Sequence, residues 1–125
     1  MAASDRRNIA VLGASPKPER YSNMASRLLQ SHGFALFPVN PARPVVCDFP
    51  CFASLSEIKD AVDTLTVYVS AGISTGLEKE ILALKPKRVI FNPGSENPRL
   101  QETLRKNGIK VIEACTLVML NTGQF

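Results

Sequence analysis

The stretch Gly13-Ala14-Ser15-Pro16-Lys17-Pro18-Glu19-Arg20-Tyr21-Ser22 carries the most readable chemistry in this chain. A glycine directly after an apolar run, followed by small and basic residues and then a helix cap, lets backbone approach a phosphate at a helix N-terminus. The full dinucleotide fingerprint G-x-G-x-x-G is not present: Gly13 stands alone, and Ser15 and Pro18 hold the second and third glycine positions. An NAD site also requires an acidic residue closing the second strand to hold the ribose hydroxyls. Here the chain reads Val39-Asn40-Pro41 and then Arg43. Lys17, Arg20 and Arg43 point instead to a nucleotide carrying extra phosphate, though each reads equally well as a solvated surface charge.

Catalytic sets do not assemble from the remaining reactive residues. No G-x-x-x-x-G-K-[ST] phosphate loop occurs, and Gly13-Ala14-Ser15 is followed by Pro16 rather than by the x-Gly of a nucleophile elbow. The single histidine, His32, is expected at the far end of the first helix, which leaves a serine nucleophile without a base. Glu19 and Glu96 fall on ligand-side loops but read equally as solvent-facing. Cys47, Cys51 and Cys115 make an odd set, which fits reduced thiols better than a disulfide framework. Together with His32 they lack the two compact ligand pairs of a structural zinc site, so no metal is expected. Cys115, just after the last strand, reads as a small buried residue ahead of a reactive thiol.

The elements that would position these residues alternate regularly. Ile9–Leu12 is a continuous apolar run of the kind covered on both faces. A helix capped by Ser22 is expected to run to about His32, with Met24, Leu28 and Leu29 on one side and Gly33 beyond its end. Phe34–Val39 follows as a second strand, in which Pro38 suggests a strand end. Residues 42–53 read as a loop with one short extended piece at Val45–Cys47. Ser54 or Ser56 is expected to cap a helix through about Val62, with Leu55, Ile58 and Val62 at helical spacing. Thr64–Val69 is a strand by its β-branched content. A turn from Gly72 to Gly76 then leads into a helix from Ser74 or Thr75 to about Leu84, stopped by Pro86. Arg88–Phe91, a helix over Pro98–Asn107 closed by Gly108, a strand at Ile109–Ile112 and a helix-like patch at Leu117–Leu120 complete the order.

Five strands alternating with four helices predict a single α/β domain over 1–125, a doubly wound five-stranded parallel sheet with helices on both faces. Residues 1–7 are expected to form a flexible N-terminus. In such sheets ligands bind beyond the carboxyl ends of the strands, where strand order reverses. The candidate binding residues are therefore those that leave the strands: the first loop, Asn40 with its neighbours, Ser70-Ala71-Gly72 and Asn92-Pro93-Gly94.

The 125 residues are 45% apolar and 21% charged, which suits one packed domain and argues against a disordered chain. No apolar run is long enough to span a bilayer, and the N-terminus lacks the apolar core of a secretion signal, so a cytoplasmic protein is expected. The net charge of +4 suits an anionic small molecule. Scattered basic residues and the absence of Trp argue against nucleic acid.

The run Val11-Leu12-Gly13-Ala14-Ser15-Pro16 with Pro18, Arg20 and Ser22, followed by Pro38-Val39-Asn40-Pro41, resembles the stand-alone CoA-binding domain family. These are small Rossmann-like proteins similar to the CoA-binding domain of succinyl-CoA synthetase alpha subunits. The later Ile90–Asn97 segment and the tail Ala114–Phe125 look like its bacterial branch. The resemblance implies coenzyme A or acyl-CoA as the ligand. It implies that Gly13, Ala14, Ser15, Arg20 and Ser22 hold the pyrophosphate and that Val39, Asn40 and Pro41 shape the adenosine end. Ser70, Ala71 and Gly72 would line the floor, and Asn92, Pro93 and Gly94 would lie nearer the pantetheine arm. Many members have a glycine-centred turn after Val-Asn-Pro, where this chain has Val45-Val46-Cys47-Asp48-Phe49-Pro50-Cys51. The synthetases need further domains, which 125 residues do not accommodate, so binding without turnover is implied.

Two other functions fit the same elements. An NAD(P)-binding redox enzyme or sensor would use Arg43 to read a 2′-phosphate and Cys115 as the reactive group. An interaction protein would pack Leu117–Leu120 and Phe125 against a second copy as a homodimer.

Overall fold

A strand that is apolar at every position must be covered on both faces. In the computed structural model, which describes residues 7–41, 45–46 and 49–125, Ile9, Ala10 and Val11 are fully buried in the first strand. Residues 1–6, within the N-terminal stretch expected to be flexible, lie outside the described residues, as do Arg43 and Cys47. The strands in chain order are β1 (Asn8–Leu12), β2 (Ala35–Val39), β3 (Val45–Val46), β4 (Phe49–Pro50), β5 (Thr64–Val67), β6 (Arg88–Phe91) and β7 (Lys110–Glu113). The helices are α1 (Tyr21–Ser31), α2 (Ala71–Thr75), α3 (Glu78–Leu84), α4 (Pro98–Lys106) and α5 (Thr116–Asn121). The main sheet has five strands, all parallel, in the order β2-β1-β5-β6-β7. This is the doubly wound, Rossmann-like arrangement.

Alternation along β1 divides the core in two. Ala10 and Leu12 join Leu65, Val67, Val89, Phe91, Ile81, Leu100 and Leu104 on the face covered by α3 and α4. Ile9 and Val11 join Leu29, Leu36 and Leu120 on the face covered by α1 and α5. Helices on both faces are thus what keeps a wholly apolar strand out of water.

Four local expectations are corrected. Helix α1 begins at Tyr21 with Arg20 as its cap residue, because the Arg20 carbonyl takes the amides of Asn23 and Met24. Ser22 lies inside the first turn, where its carbonyl accepts from Ser26 Oγ (2.7 Å). The buried side of α1 is small and polar (Ser22, Asn23, Ala25, Ser26, with Leu29), whereas Met24 and Leu28 are only half-buried. Residues 54–62 form a single 3-10 turn at Leu55–Glu57 and then irregular chain with a bend at Asp60, although Leu55, Ile58 and Val62 are all buried. Ser54 and Ser56 bond each other (2.7 Å), and Glu57 Oε1 accepts from the Ala53 amide (3.1 Å). These local bonds offer the backbone an alternative to a helix.

The segment Ala71–Thr75 is helix rather than turn, and a turn at Gly76 and Leu77 divides it from α3, where one helix from Ser74 or Thr75 to Leu84 was expected. Three bonds from Asn97 Nδ2, to the Ala71 carbonyl (3.3 Å), Ser74 Oγ (2.8 Å) and Thr75 Oγ1 (3.0 Å), hold α2 from across the fold. Within 42–53, β3 and β4 pair antiparallel as a short hairpin instead of one isolated extended piece.

Pro38 sits inside β2 but offends nothing, because β2 is an edge strand. Beyond that edge the Phe52 amide donates to the Pro38 carbonyl (2.8 Å) and the Asn40 amide to the Phe52 carbonyl (2.9 Å).

The tail that could pack against a second copy is partly covered by its own chain, with Val118 left exposed. Met119 and Leu120 are buried, and the Phe125 ring lies 5.2 Å from that of Phe34.

Candidate functional site

Strand order reverses at β1, with β2 on one side and β5 on the other, so a crevice opens beyond the C-terminal ends of β1 and β5. A cleft of about 460 Å³ lies there. Its floor is the first loop, and Gly13 shows how close the loop comes to the exit of β5. Gly13 adopts φ +88°, and a Cβ at that position would stand 2.9 Å from Val69 Cγ1 and 3.1 Å from the Tyr68 carbonyl oxygen. Only glycine fits such a backbone and such an approach.

The loop is stitched to its surroundings. The Gly13 and Ala14 amides both donate to the Val39 carbonyl (3.1 and 3.2 Å). Asn40 Nδ2 donates to the Ala14 carbonyl (2.7 Å) and Asn23 Nδ2 to the Ser15 carbonyl (2.8 Å). The Lys17 amide donates to Ser15 Oγ (3.1 Å), and Arg27 clamps both Asn23 Oδ1 (2.7 Å) and the Pro18 carbonyl (3.3 Å). The carbonyls are thereby turned into the scaffold, while at the start of α1 the Asn23 and Met24 amides take the Arg20 carbonyl and those of Tyr21 and Ser22 precede the first helical acceptor. Lys17 and Arg20 line the cleft and, among the described residues, no carboxylate does. The arrangement is suited to an anion.

A buried polar network supports the floor. Asn92, 2% exposed, donates from Nδ2 to Thr66 Oγ1 (2.7 Å) and to the Val67 carbonyl (3.0 Å). Its Oδ1 accepts from the Thr116 amide (2.8 Å), and the Thr66 and Thr116 hydroxyls bond each other (2.8 Å). Tyr68 lies on the cleft wall. Burial pushes its phenol up to about 12, although the hydrogen bonds from Thr116 and Thr66 oppose the rise.

A second cavity of about 310 Å³ adjoins the first at Gly13, Asn40 and Val69. Leu12, Val39, Pro41, Leu55, Ile73 and Leu77 make its walls mostly apolar.

The structure brings most of the expected residues together. Gly13, Ala14, Ser15, Lys17, Arg20, Ser22, Asn40, Ser70, Pro93 and Gly94 line the first cleft, and Val39 and Pro41 line the second cavity. Ala71 and Gly72 lie in the first turn of α2 and line neither, and Asn92 is committed to the scaffold beneath. Pro16 and Tyr21 of the first loop and Ser95 beyond Gly94 also line the first cleft, and Tyr68 and Val69 do so without having been expected there, as do Leu55, Ile73 and Leu77 in the second. Tyr68 and Val69 immediately follow β5, so the strand-end rule itself would have found them.

Cys115 is the half-buried cap residue of α5 and does not line the cleft. Cys51 donates weakly to the Asn40 carbonyl (3.6 Å), and burial raises its thiol above the usual range against that bond. His32 ends α1, stacked on Phe34. Glu96 is exposed and accepts from the Gly94 amide (2.9 Å). No helix among the described residues is long and apolar enough to cross a membrane.

Residues 7–121 match the model of the CoA binding domain family. An uncharacterized protein of Bacillus subtilis, YneT, is 29% identical over 106 residues, covering 85% of this chain and 78% of its own. The ADP-forming acetate–CoA ligase I of Archaeoglobus fulgidus is 24% identical over 124 residues, covering 91% of this chain but only 18% of the ligase. Among solved structures, one of an uncharacterized protein superposes with TM-score 0.91 at 40% identity over 96% of this chain and 98% of that one. A Thermus thermophilus structure superposes with TM-score 0.88 at 32% identity, over 98% and 92% of the two chains.

Proposed function

The chain belongs to the CoA-binding domain family, and we propose that it binds coenzyme A or an acyl-CoA without turning it over, as a sensor, carrier or regulatory module. The observation that carries this reading is the pair of adjoining cavities at the switch point. One is rimmed by Lys17 and Arg20 at the start of α1, and the other is walled by aliphatic side chains. A phosphate-bearing chain with a flat heteroaromatic end needs that combination. The pyrophosphate lies over Gly13–Ser15 against the α1 N-terminus, where the first helical amides and the cations Lys17 and Arg20 converge. The adenine enters the apolar cavity beside Val39 and Pro41. The pantetheine arm leaves along Pro93, Gly94 and Ser95.

Binding without turnover is supported by the titratable groups on the first cleft. Among the described residues these are Lys17, Arg20, Tyr21 and Tyr68. At about 12 the Tyr68 phenol is neutral at physiological pH and serves as a hydrogen-bonded wall rather than a base.

Thermal unfolding with CoA, acetyl-CoA, dephospho-CoA, NAD and NADP in parallel tests the reading. A ligand at a hundred times its dissociation constant adds about 2.7 kcal/mol, on the order of several degrees for a domain of this size. A shift with CoA or acetyl-CoA that shrinks with dephospho-CoA and vanishes with NAD is expected, with the thioester recovered intact. A shift with NADP alone, or hydrolysis of acetyl-CoA that follows the protein concentration, overturns it.

A further inference from the structure

Three large apolar side chains stand out from the surface among the described residues: Tyr21 at 70% exposure, Val118 at 57% and Ile73 at 55%. Tyr21 rims the first cleft and Ile73 the apolar cavity, whereas Val118 lies on α5 and lines neither. One exposed aliphatic residue is ordinary on any protein surface. Ile73 differs in how firmly it is held there. It sits in α2, and a five-residue helix is not stable by itself in water. Buried Asn97 directs its Nδ2 to the Ala71 carbonyl, Ser74 Oγ and Thr75 Oγ1, groups that flank Ile73 on both sides. Ser74 is fully buried, and the Ile73 amide donates to the Ser70 carbonyl (3.0 Å). The Ile73 side chain is thus fixed at the cavity wall with about half of its surface in water.

The cavity has two sides. Val39 and Pro41 leave β2 on one side of β1, and Ile73 and Leu77 follow β5 on the other, with Leu12 and Gly13 at the end of β1 between them. Asn40, Ser54 and Glu80 are the polar side chains among its described lining residues. Asn40 Nδ2 is engaged by the Ala14 carbonyl (2.7 Å) and Ser54 Oγ by Ser56 Oγ (2.7 Å). Aliphatic walls on two sides suit the two faces of a flat ring, which polar contacts at its edge then orient. We infer that Ile73 is a preset clamp on this cavity, packing against the face of the ligand's adenine and losing its exposure when the ligand binds. The inference rests on the CoA reading and deepens it. Because Asn97 holds α2 in place before a ligand arrives, the contact needs no ordering of the chain, and burial of the side chain goes directly into affinity.

Isothermal titration of the full chain with CoA and with adenosine 3′,5′-bisphosphate tests this, using the native protein, Ile73→Ala, Ile73→Leu and Val118→Ala. The bisphosphate keeps the adenine of CoA and lacks the pantetheine arm. Ile73→Ala is expected to weaken both ligands by the same factor, about 5–20-fold, the effect of losing part of one buried aliphatic contact. Ile73→Leu keeps the apolar volume and is expected to hold both affinities within about 3-fold of native. Val118→Ala removes a similarly exposed apolar group away from both cavities and is expected to leave them within about 2-fold. Ligand-free, the three variants are expected to melt with the native protein, since neither position belongs to the buried core. Ile73→Ala binding of both ligands within about 2-fold of native, or a loss confined to CoA with the bisphosphate unaffected, overturns the clamp while leaving the CoA reading standing. Native protein that binds CoA but not the bisphosphate does the same. Failure of the native protein to bind CoA overturns both.

Discussion

Replacing Gly13 with alanine adds one methyl group at the most crowded point of the cleft floor. Two effects arise, and a second glycine separates them. At φ +88° an L-residue is strained, by about 1–2 kcal/mol. The new Cβ also meets Val69 Cγ1 at 2.9 Å and the Tyr68 backbone oxygen and carbon at 3.1 and 3.2 Å. Val69 can rotate away, but the Tyr68 carbonyl belongs to the backbone, and the Tyr68 amide is tied to the Leu12 carbonyl at 2.9 Å. Overpacking of this kind adds about 1–3 kcal/mol. Gly94 has nearly the same backbone, φ +90°, with nothing within 4 Å of an added Cβ. Gly94→Ala therefore bears the strain alone. Urea unfolding followed by circular dichroism is expected to place Gly13→Ala about 2–5 kcal/mol below the native protein and Gly94→Ala about 1–2 kcal/mol below it. Equal losses in the two variants, within about 0.5 kcal/mol, would refute the close approach of the loop to the exit of β5.

Three further outcomes are expected. Asn92→Ala strands the Thr116 amide inside the sheet and removes the side-chain donor to Thr66 Oγ1 and the Val67 carbonyl, which keep the Thr116 hydroxyl and the residue-92 amide as partners; a loss of about 1–3 kcal/mol in urea unfolding is expected, and a loss below about 0.5 kcal/mol would contradict the network. The Tyr68 phenol is pushed up by burial to about 12 in the fold from an ordinary 10.0, so its contribution is complete below pH 10 and is lost as pH rises toward 12. Denaturation midpoints measured across that window should fall by the equivalent of about 2–3 kcal/mol, and Tyr68→Phe should flatten this part of the profile. Asn97→Ala removes the cap on the Leu100 amide and all three bonds to α2; hydrogen exchange should accelerate at Ile73 and Ser74 well before it does in β5.

The sheet was legible because its strands are short apolar runs bounded by glycine, proline and asparagine. Arg88–Phe91 agrees with expectation to the residue, and β1 differs by one residue at its start. The first loop was legible for the same reason, since strand ends in a parallel sheet mark the ligand edge. Elements held by distant partners were not. Nothing near Gly72 in sequence announces that Asn97 will bond three groups of α2, so the glycines there read as a turn. Leu55, Ile58 and Val62, noted for their helical spacing, are all buried, but spacing alone does not distinguish a helix from a tight turn followed by irregular chain. Within the site, Asn92 drew attention as a polar residue leaving β6, and its burial beneath the cleft follows from Thr66 and Thr116 on neighbouring elements. Ile73 drew none, because an isoleucine in a segment that reads as a turn is ordinary until the cavity beside it is seen.

The strap that Phe52 lays along β2 also governs how these molecules meet one another. A parallel sheet ends in two rows of backbone groups on which a strand from another molecule can pair. On the β2 side Pro38 has no N–H to give, and its carbonyl and the Asn40 amide are already taken by Phe52. On the other side β7 is only four residues long, with exposed charges, Lys110 and Glu113, at its two ends. A crowded solution of this protein therefore offers poor templates for strand addition at either margin, and contact between copies is left to the helical faces.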